Sequence, residues 1–313
     1  MWMALFYILV FPGFLFLVVF SLAFEYVDRI LYARLQNRKG PPWYQSVADI
    51  VKLLFKETIV PNEADKRLFR FIPVFGFASA LTSYLYIPIW NRNSLYSFGC
   101  DLIVIVYLLT IPTLCFFLAG WFSSSLYAEI GAIRTLTQLF AYEVPFYMAL
   151  LGPALLANTW SITGITSYFY EHPILILVNI PGFFVIMVAA QGKLERAPFD
   201  MSAAETEIVD GTFTEYSGRL LGFFRMTLNV ELIVVSSIIA AVYFPLFITD
   251  SVIIGFVFYL LKMFFILFVF TLMRAALARF RMDQMIAFCW KVLAPVSLVQ
   301  ILIDLILKGN FIS

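Results

Sequence analysis

Long apolar runs, broken by short clusters of charge, occupy the chain from its first residues to its last. A membrane-crossing helix needs roughly 20 mostly apolar residues. Eight segments meet that requirement, at about 3–24, 69–89, 101–122, 136–157, 173–191, 228–248, 252–273 and 290–307. The last is short and the fifth ends at a polar loop. Pro112 and Pro145 fall inside spans, where neighbouring helices can satisfy the backbone groups they free. The first run begins at Met1 with no basic stretch before it and is too long for a signal core, so it reads as a retained span.

The polar clusters sort by side. With eight spans both ends of the chain share one side, and loops 25–68, 123–135, 192–227 and 274–289 share the other. Those four loops or their edges hold Arg29, Arg34, Arg38, Lys52, Lys56, Arg134, Lys193, Arg196, Arg219, Arg225, Arg274, Arg279 and Arg281, among others. Little beyond Arg92 and Lys308 lies opposite. Lysine and arginine favour inner loops, so these four face the cytoplasm or its organellar equivalent. Within the first, Val47, Ile50, Val51, Leu54 and Phe55 recur at helical spacing with Asp49, Lys52 and Lys56 elsewhere on the wheel. This predicts an amphipathic helix lying on the membrane surface.

Composition agrees with the pattern. The 313 residues are 62% hydrophobic and 13% charged, where soluble domains carry about a quarter charged. The predicted class is all-α: one polytopic membrane domain over 1–313, about eight transmembrane helices plus the surface helix. A net charge of +1 gives no pull toward nucleic acid. The three cysteines, Cys100, Cys115 and Cys289, show no CxxC spacing, and His172 is the one histidine. A protein-held iron–sulfur cluster, zinc or haem needs ligands this chain hardly has. No cofactor is therefore expected on the chain itself, and electron-transfer groups are expected in partners.

Charges inside spans are costly and mark function. Glu143 and Lys262 lie deep within the fourth and seventh spans. Glu231, near the start of the sixth, and Asp304, late in the eighth, stand where capping or snorkelling is an equal reading. Loop 192–227 crowds Glu195, Asp200, Glu205, Glu207, Asp210 and Glu215 together, with Arg196, Arg219 and Arg225. Carboxylates crowded at a low-dielectric boundary hold protons more tightly and titrate as coupled sites. Ala197, Pro198, Phe199, Met201, Ile208 and Val209 between them predict a partly buried segment, against the alternative of a solvated acidic loop.

RAPFD at 196–200, ETEIV at 205–209 and EYSG at 215–218 resemble the signature loop of the first core membrane subunit of respiratory complex I. RLQNRKGP at 34–41, GAIRTLTQLFAYEVP at 131–145 and RFRMDQMIAFCWK at 279–291 are similar to further stretches of that family, in order and in register. The resemblance implies a subunit at the seam between a peripheral redox arm and a membrane arm. Glu143, Asp200, Glu205, Glu207 and Glu215 would form the acidic path, with Glu195, Glu231 and Lys262 added to it. Arg29, Arg38, Arg196, Arg274, Arg279, Arg281 and Asp283 would line the junction with the peripheral arm.

There are departures. The stretch after RKGP is shorter than in complex I, and together with EYSGRLLG it resembles the membrane-bound hydrogenases and related ferredoxin-dependent sulfur-reducing complexes. Lys193 stands where complex I carries an acid, Glu195 is shifted by two residues, and an acid expected near Leu228 is absent, with Glu231 nearly one turn on. The expected function is thus an anchor and coupling subunit of a ferredoxin-oxidising, complex I-like assembly in a prokaryotic plasma membrane. Its expected partners are the peripheral iron–sulfur and large catalytic-type subunits, small membrane subunits and antiporter-like subunits. Two alternatives stay open: a quinone-chamber subunit of a donor:quinone oxidoreductase, which could sit equally in a mitochondrial inner membrane, and a stand-alone secondary transporter.

Overall fold

The computed structural model describes residues 2–89, 94–202, 204–245 and 252–311, and every regular element among them is helical. In chain order these are α1 (Trp2–Leu9), α2 (Phe14–Leu35), α3 (Gln45–Phe55), α4 (Lys66–Tyr84), α5 (Asp101–Trp121), α6 (Leu126–Ala157) and α7 (Ile162–Glu171). There follow α8 (Leu175–Val178), α9 (Ile180–Lys193), α10 (Glu205–Ile208), α11 (Gly218–Tyr243), α12 (Val252–Ala276), α13 (Met282–Phe288) and α14 (Ala294–Phe311). Among the described residues six helical stretches are long and apolar enough to cross a membrane. The other two predicted spans become α4, whose first turns carry Lys66, Arg67 and Arg70, and the broken run α8–α9.

Local chemistry sets the boundaries. Pro12 and Gly13 separate α1 from α2, so the first predicted span is interrupted. The helix then runs past the predicted end at 24, because its charges are paired: Arg29 binds Glu25 one turn back and Asp49 of α3 at 2.8 Å. Asp65 caps α4 by accepting from the Arg67 N–H at 2.9 Å. Asn158 ends α6 in the left-handed region at φ 53°, which asparagine tolerates. Asn179 ends α8 and Pro181 opens α9, splitting the predicted fifth span and leaving a helix of 14 residues. The predicted surface helix is α3. Residues 246–248 of the predicted sixth span, and Arg92, lie outside the described residues.

Helix α11 is the axis. Of its most apolar window 89% is buried, against 22% for the first and last spans. Helices α2, α3, α4 and α12 pack directly on it. The acidic loop between α9 and α11 is anchored by Phe213 and Tyr216 in a second core with Phe69 of α4, Phe116 of α5 and Phe224 of α11. Phe69 and Tyr216 stack at 4.0 Å. Gly131 of α6 permits this seating, since a Cβ there would stand 2.6 Å from the Thr212 nitrogen. Gln138, one helical stretch along α6, donates to the carbonyls of Gly192 and Phe199, each at 2.7 Å, and so closes the RAPFD turn onto the bundle. Phe199, Met201 and Ile208 are buried, whereas Val209 is exposed.

Candidate functional site

A cavity of about 540 Å³ opens between α2, α3, the RAPFD turn and the loop-side ends of α11 and α12. Its wall is mostly charged: Glu25, Asp28, Arg29, Asp49, Glu195, Arg196, Asp200, Arg225 and Arg274 all line it. Asp28, buried on α2, is the organising carboxylate. It accepts from Thr271 Oγ1 at 2.7 Å and pairs with Arg196 at 3.1 Å and Arg274 at 3.4 Å. The Arg274 guanidinium also lies 4.4 Å above the Tyr32 ring. Asn229 of α11 donates to Glu25 at 2.8 Å, completing a network that ties α2, α3, α11 and α12 to the RAPFD turn.

The loop acids divide into two groups. Glu195 turns toward the cavity from a backbone at φ 49°. Burial pushes its carboxyl up to about 7, with the Glu231 charge adding to the effect and Ser202, Lys193 and Arg225 opposing it. Asp200 lines the same cavity and pairs with Arg279 Nε at 3.0 Å, while the Arg279 guanidinium also donates to the Asp200 carbonyl. Glu207 instead lies at the exposed rim, where Arg134 binds it at 2.5 Å and holds its carboxyl below the usual range. Glu215 stands half-buried between the anchors Phe213 and Tyr216. The Glu205 side chain lies outside the described residues.

Beneath the cavity the two sequence departures meet. Lys193, at the end of α9, and Glu231, midway along α11, are both buried and lie 3.4 Å apart. Glu231 is therefore an interior charge and not a helix-end group. The Lys193 ammonium also donates to the Leu109 carbonyl of α5, in the turn that Pro112 interrupts. Among the described residues neither Glu231 oxygen accepts a hydrogen bond within normal range. Tyr142 of α6 lies within electrostatic reach of Glu231, Glu195 and Glu143, and its hydroxyl is 3.2 Å from Thr113 Oγ1. One residue on, Glu143 accepts a hydrogen bond from Tyr147 on a partly exposed flank of α6.

The remaining predicted residues take other places. Lys262 is on α12, which packs against α2 and α11, whereas Glu143 is on α6, which packs against α5, α9 and α14. The two stand in different parts of the bundle. Of the predicted junction residues, Arg29, Arg196 and Arg274 face the cavity, while Arg38, Arg281 and Asp283 are exposed. The residue that sequence reasoning passed over is Asp28. Its signal was present in FEYVDRI, a charge cluster that a span ending at residue 24 assigns to a loop.

The comparisons agree with this layout. The sequence family described as NADH dehydrogenase matches residues 7–305. A membrane subunit of the NADH-quinone oxidoreductase of Dehalococcoides mccartyi strain CBDB1 is 34% identical over 295 residues, covering 92% of this chain and 82% of the relative. The corresponding subunit of Bacillus cytotoxicus is 32% identical over 301 residues, covering 91% and 88%. A chain of the membrane-bound sulfane sulfur reductase, an archaeal respiratory membrane complex, superposes with a TM-score of 0.80 over 93% of this chain and 96% of that one, at 22% identity, a likeness of fold. The protein therefore belongs to the NADH dehydrogenase family, that of the first core membrane subunit of complex I.

Proposed function

We propose that this chain anchors a peripheral iron–sulfur arm and couples its electron transfer to proton or sodium translocation. Loops 25–68 and 192–227 are the docking elements, with exposed Arg38, Arg281 and Asp283 at the contact. The observation that carries the reading is continuity: the charged cavity leads through Glu195 to the buried Lys193–Glu231 pair, then to Tyr142 and Glu143. Charge or loop movement at the RAPFD turn alters the field on Glu195. The pair below answers by shifting protons, and Glu143 passes the change to a neighbouring membrane subunit across the open flank of α6. Asp200 belongs to the cavity end of this path. Glu207 and Glu215 serve loop placement, and Lys262 serves a separate flank. Iron–sulfur clusters reside in the partner subunits.

The sulfane sulfur reductase likeness and the shortened stretch after Pro41–Pro42 support a ferredoxin-oxidising assembly of the hydrogenase or sulfur-reductase type, in a prokaryotic plasma membrane. The relatives' name includes quinone, and a quinone needs an apolar tunnel for its tail. The cavity wall, with nine ionisable side chains in its lining, does not fit such a tail. A hydrated antechamber for protons suits it better.

Purification through a tag on this chain, with mass spectrometry of what accompanies it, tests the assignment. Recovery with a nickel-site-like large subunit, an iron–sulfur subunit and antiporter-like subunits is expected. A chain that emerges alone, stable and active in liposomes, overturns it in favour of a transporter.

A further inference from the structure

Helix α14 is built inside out. Leu298, Val299, Leu302, Ile303, Leu305 and Ile306 are exposed, while Ser297, Gln300 and Asp304 are fully buried. Their spacing of three and four places them on one face, which packs against α6 and α9. Polar groups are costly in hydrocarbon, so a stripe turned inward has a use or a partner there.

The partners of Asp304 are few. Gln300 Nε2 donates to Asp304 Oδ1 at 3.0 Å and lies 3.2 Å from Asn179 Oδ1 of α9. Asp304 Oδ2 and Gln300 Oε1 are buried without a hydrogen-bond partner among the described residues. The groups of ionisable type that face Asp304 are Tyr243 from α11 and Lys308 one turn along α14. Neither neutralises it, since Tyr243 gives its proton to the Ala149 carbonyl at 2.6 Å and Lys308 gives its ammonium to Asn158 Oδ1 at 2.7 Å. Gly152 of α6 closes the site: a Cβ there would stand 2.6 Å from Oδ2. An ionised carboxylate in that position is an unpaired charge with one donor, whereas a proton on Oδ2 removes the charge and supplies a donor.

We propose that Asp304 is a proton-binding site, holding its proton on Oδ2, in the half of the bundle remote from the arginine-rich loops. It packs against the same helix, α6, that carries Glu143, with Ser297 and Met148 between them at 3.4 Å. Its place in a translocation path rests on the coupling function above, but the bound proton does not, and the two are read separately.

The test is the infrared spectrum of the purified complex at rest, in water and in deuterium oxide. A carboxylic C=O band at neutral pH is expected, shifted by deuterium, lost in Asp304→Asn and moved to higher wavenumber in Gln300→Leu. Asparagine copies a protonated aspartate in shape, so that variant is expected to assemble. Should it not, the Gln300→Leu shift decides alone. A carboxyl region unchanged by either substitution overturns the proposal. So does a band that sodium ions abolish at constant pH, which would assign the site to a metal cation.

Discussion

Lys193 Nζ lies 3.4 Å from Glu231 Oε1, and both side chains are cut off from solvent by the bundle. The two residues come from different helices, and each departs from the family pattern at its own position. Their charges cancel in the interior, so the departures compensate one another. The acid next to the RAPFD turn has become a base, and a base there requires the acid that α11 provides.

Removing one member of such a pair leaves the other charged and unmatched. Lys193→Met is expected to destabilise the assembled complex by about 3–5 kcal/mol. The double variant Lys193→Met/Glu231→Leu is expected to regain most of that stability without regaining ion translocation. Thermal unfolding of the purified complex, set beside ion uptake in vesicles, checks both parts. Additive losses in the double variant would show that the two residues do not act as a pair.

Glu195 gives a pH dependence. Its carboxyl sits at about 7 in the folded chain against 4.5 for an ordinary glutamate. Between those values the folded state binds the extra proton, so the Glu195 contribution to stability falls as pH rises from 4.5 to 7 and is level above. The span is on the order of a few kcal/mol. Glu195→Gln is expected to flatten that slope, which thermal unfolding across the same pH range reads. An unaltered slope counts against a buried, titrating Glu195.

Asp28 holds Arg196 and Arg274 together, and Asp28→Ala leaves two guanidinium groups without their shared carboxylate. The expected cost is about 3–5 kcal/mol, accompanied by loss of the peripheral subunits during purification, because the RAPFD turn loses its tie to α2. Normal retention of those subunits would show that the network is not what shapes the junction.

Glu207 supplies the contrast. Its pair with Arg134 is at the solvent-exposed rim, with 54% of the glutamate side chain accessible. Glu207→Gln is expected to change stability by less than about 1 kcal/mol and to leave the ions moved per electron unaltered. A fall in that ratio would return Glu207 to the path.

The apolar runs disclosed most of the bundle, because a helix in lipid must satisfy its backbone internally and cover itself with apolar side chains. The surface helix was equally plain from its wheel. The first span was misjudged at its end: Glu25 and Arg29 cancel each other within one turn, so a helix continues where charge alone suggests a loop. Pro181 broke a run that hydropathy treated as continuous. In the acidic loop six carboxylates look alike in sequence, and only the fold separates Glu195, inside, from Glu207, at the rim. The Lys193–Glu231 pair was out of reach, since nothing along the chain says that the end of α9 meets the middle of α11. Asp304 was visible as a charge but passed for a helix-end group.

Glu143 is the point where the buried path reaches the open flank of α6, and the coupling function depends on it. The most direct measurement is ion translocation per electron in membrane vesicles carrying Glu143→Gln, with electron transfer monitored in parallel. Partial electron transfer with translocation reduced at least tenfold is the expected result. Unimpaired translocation at the wild-type ratio would contradict the assignment of this chain as the coupling element.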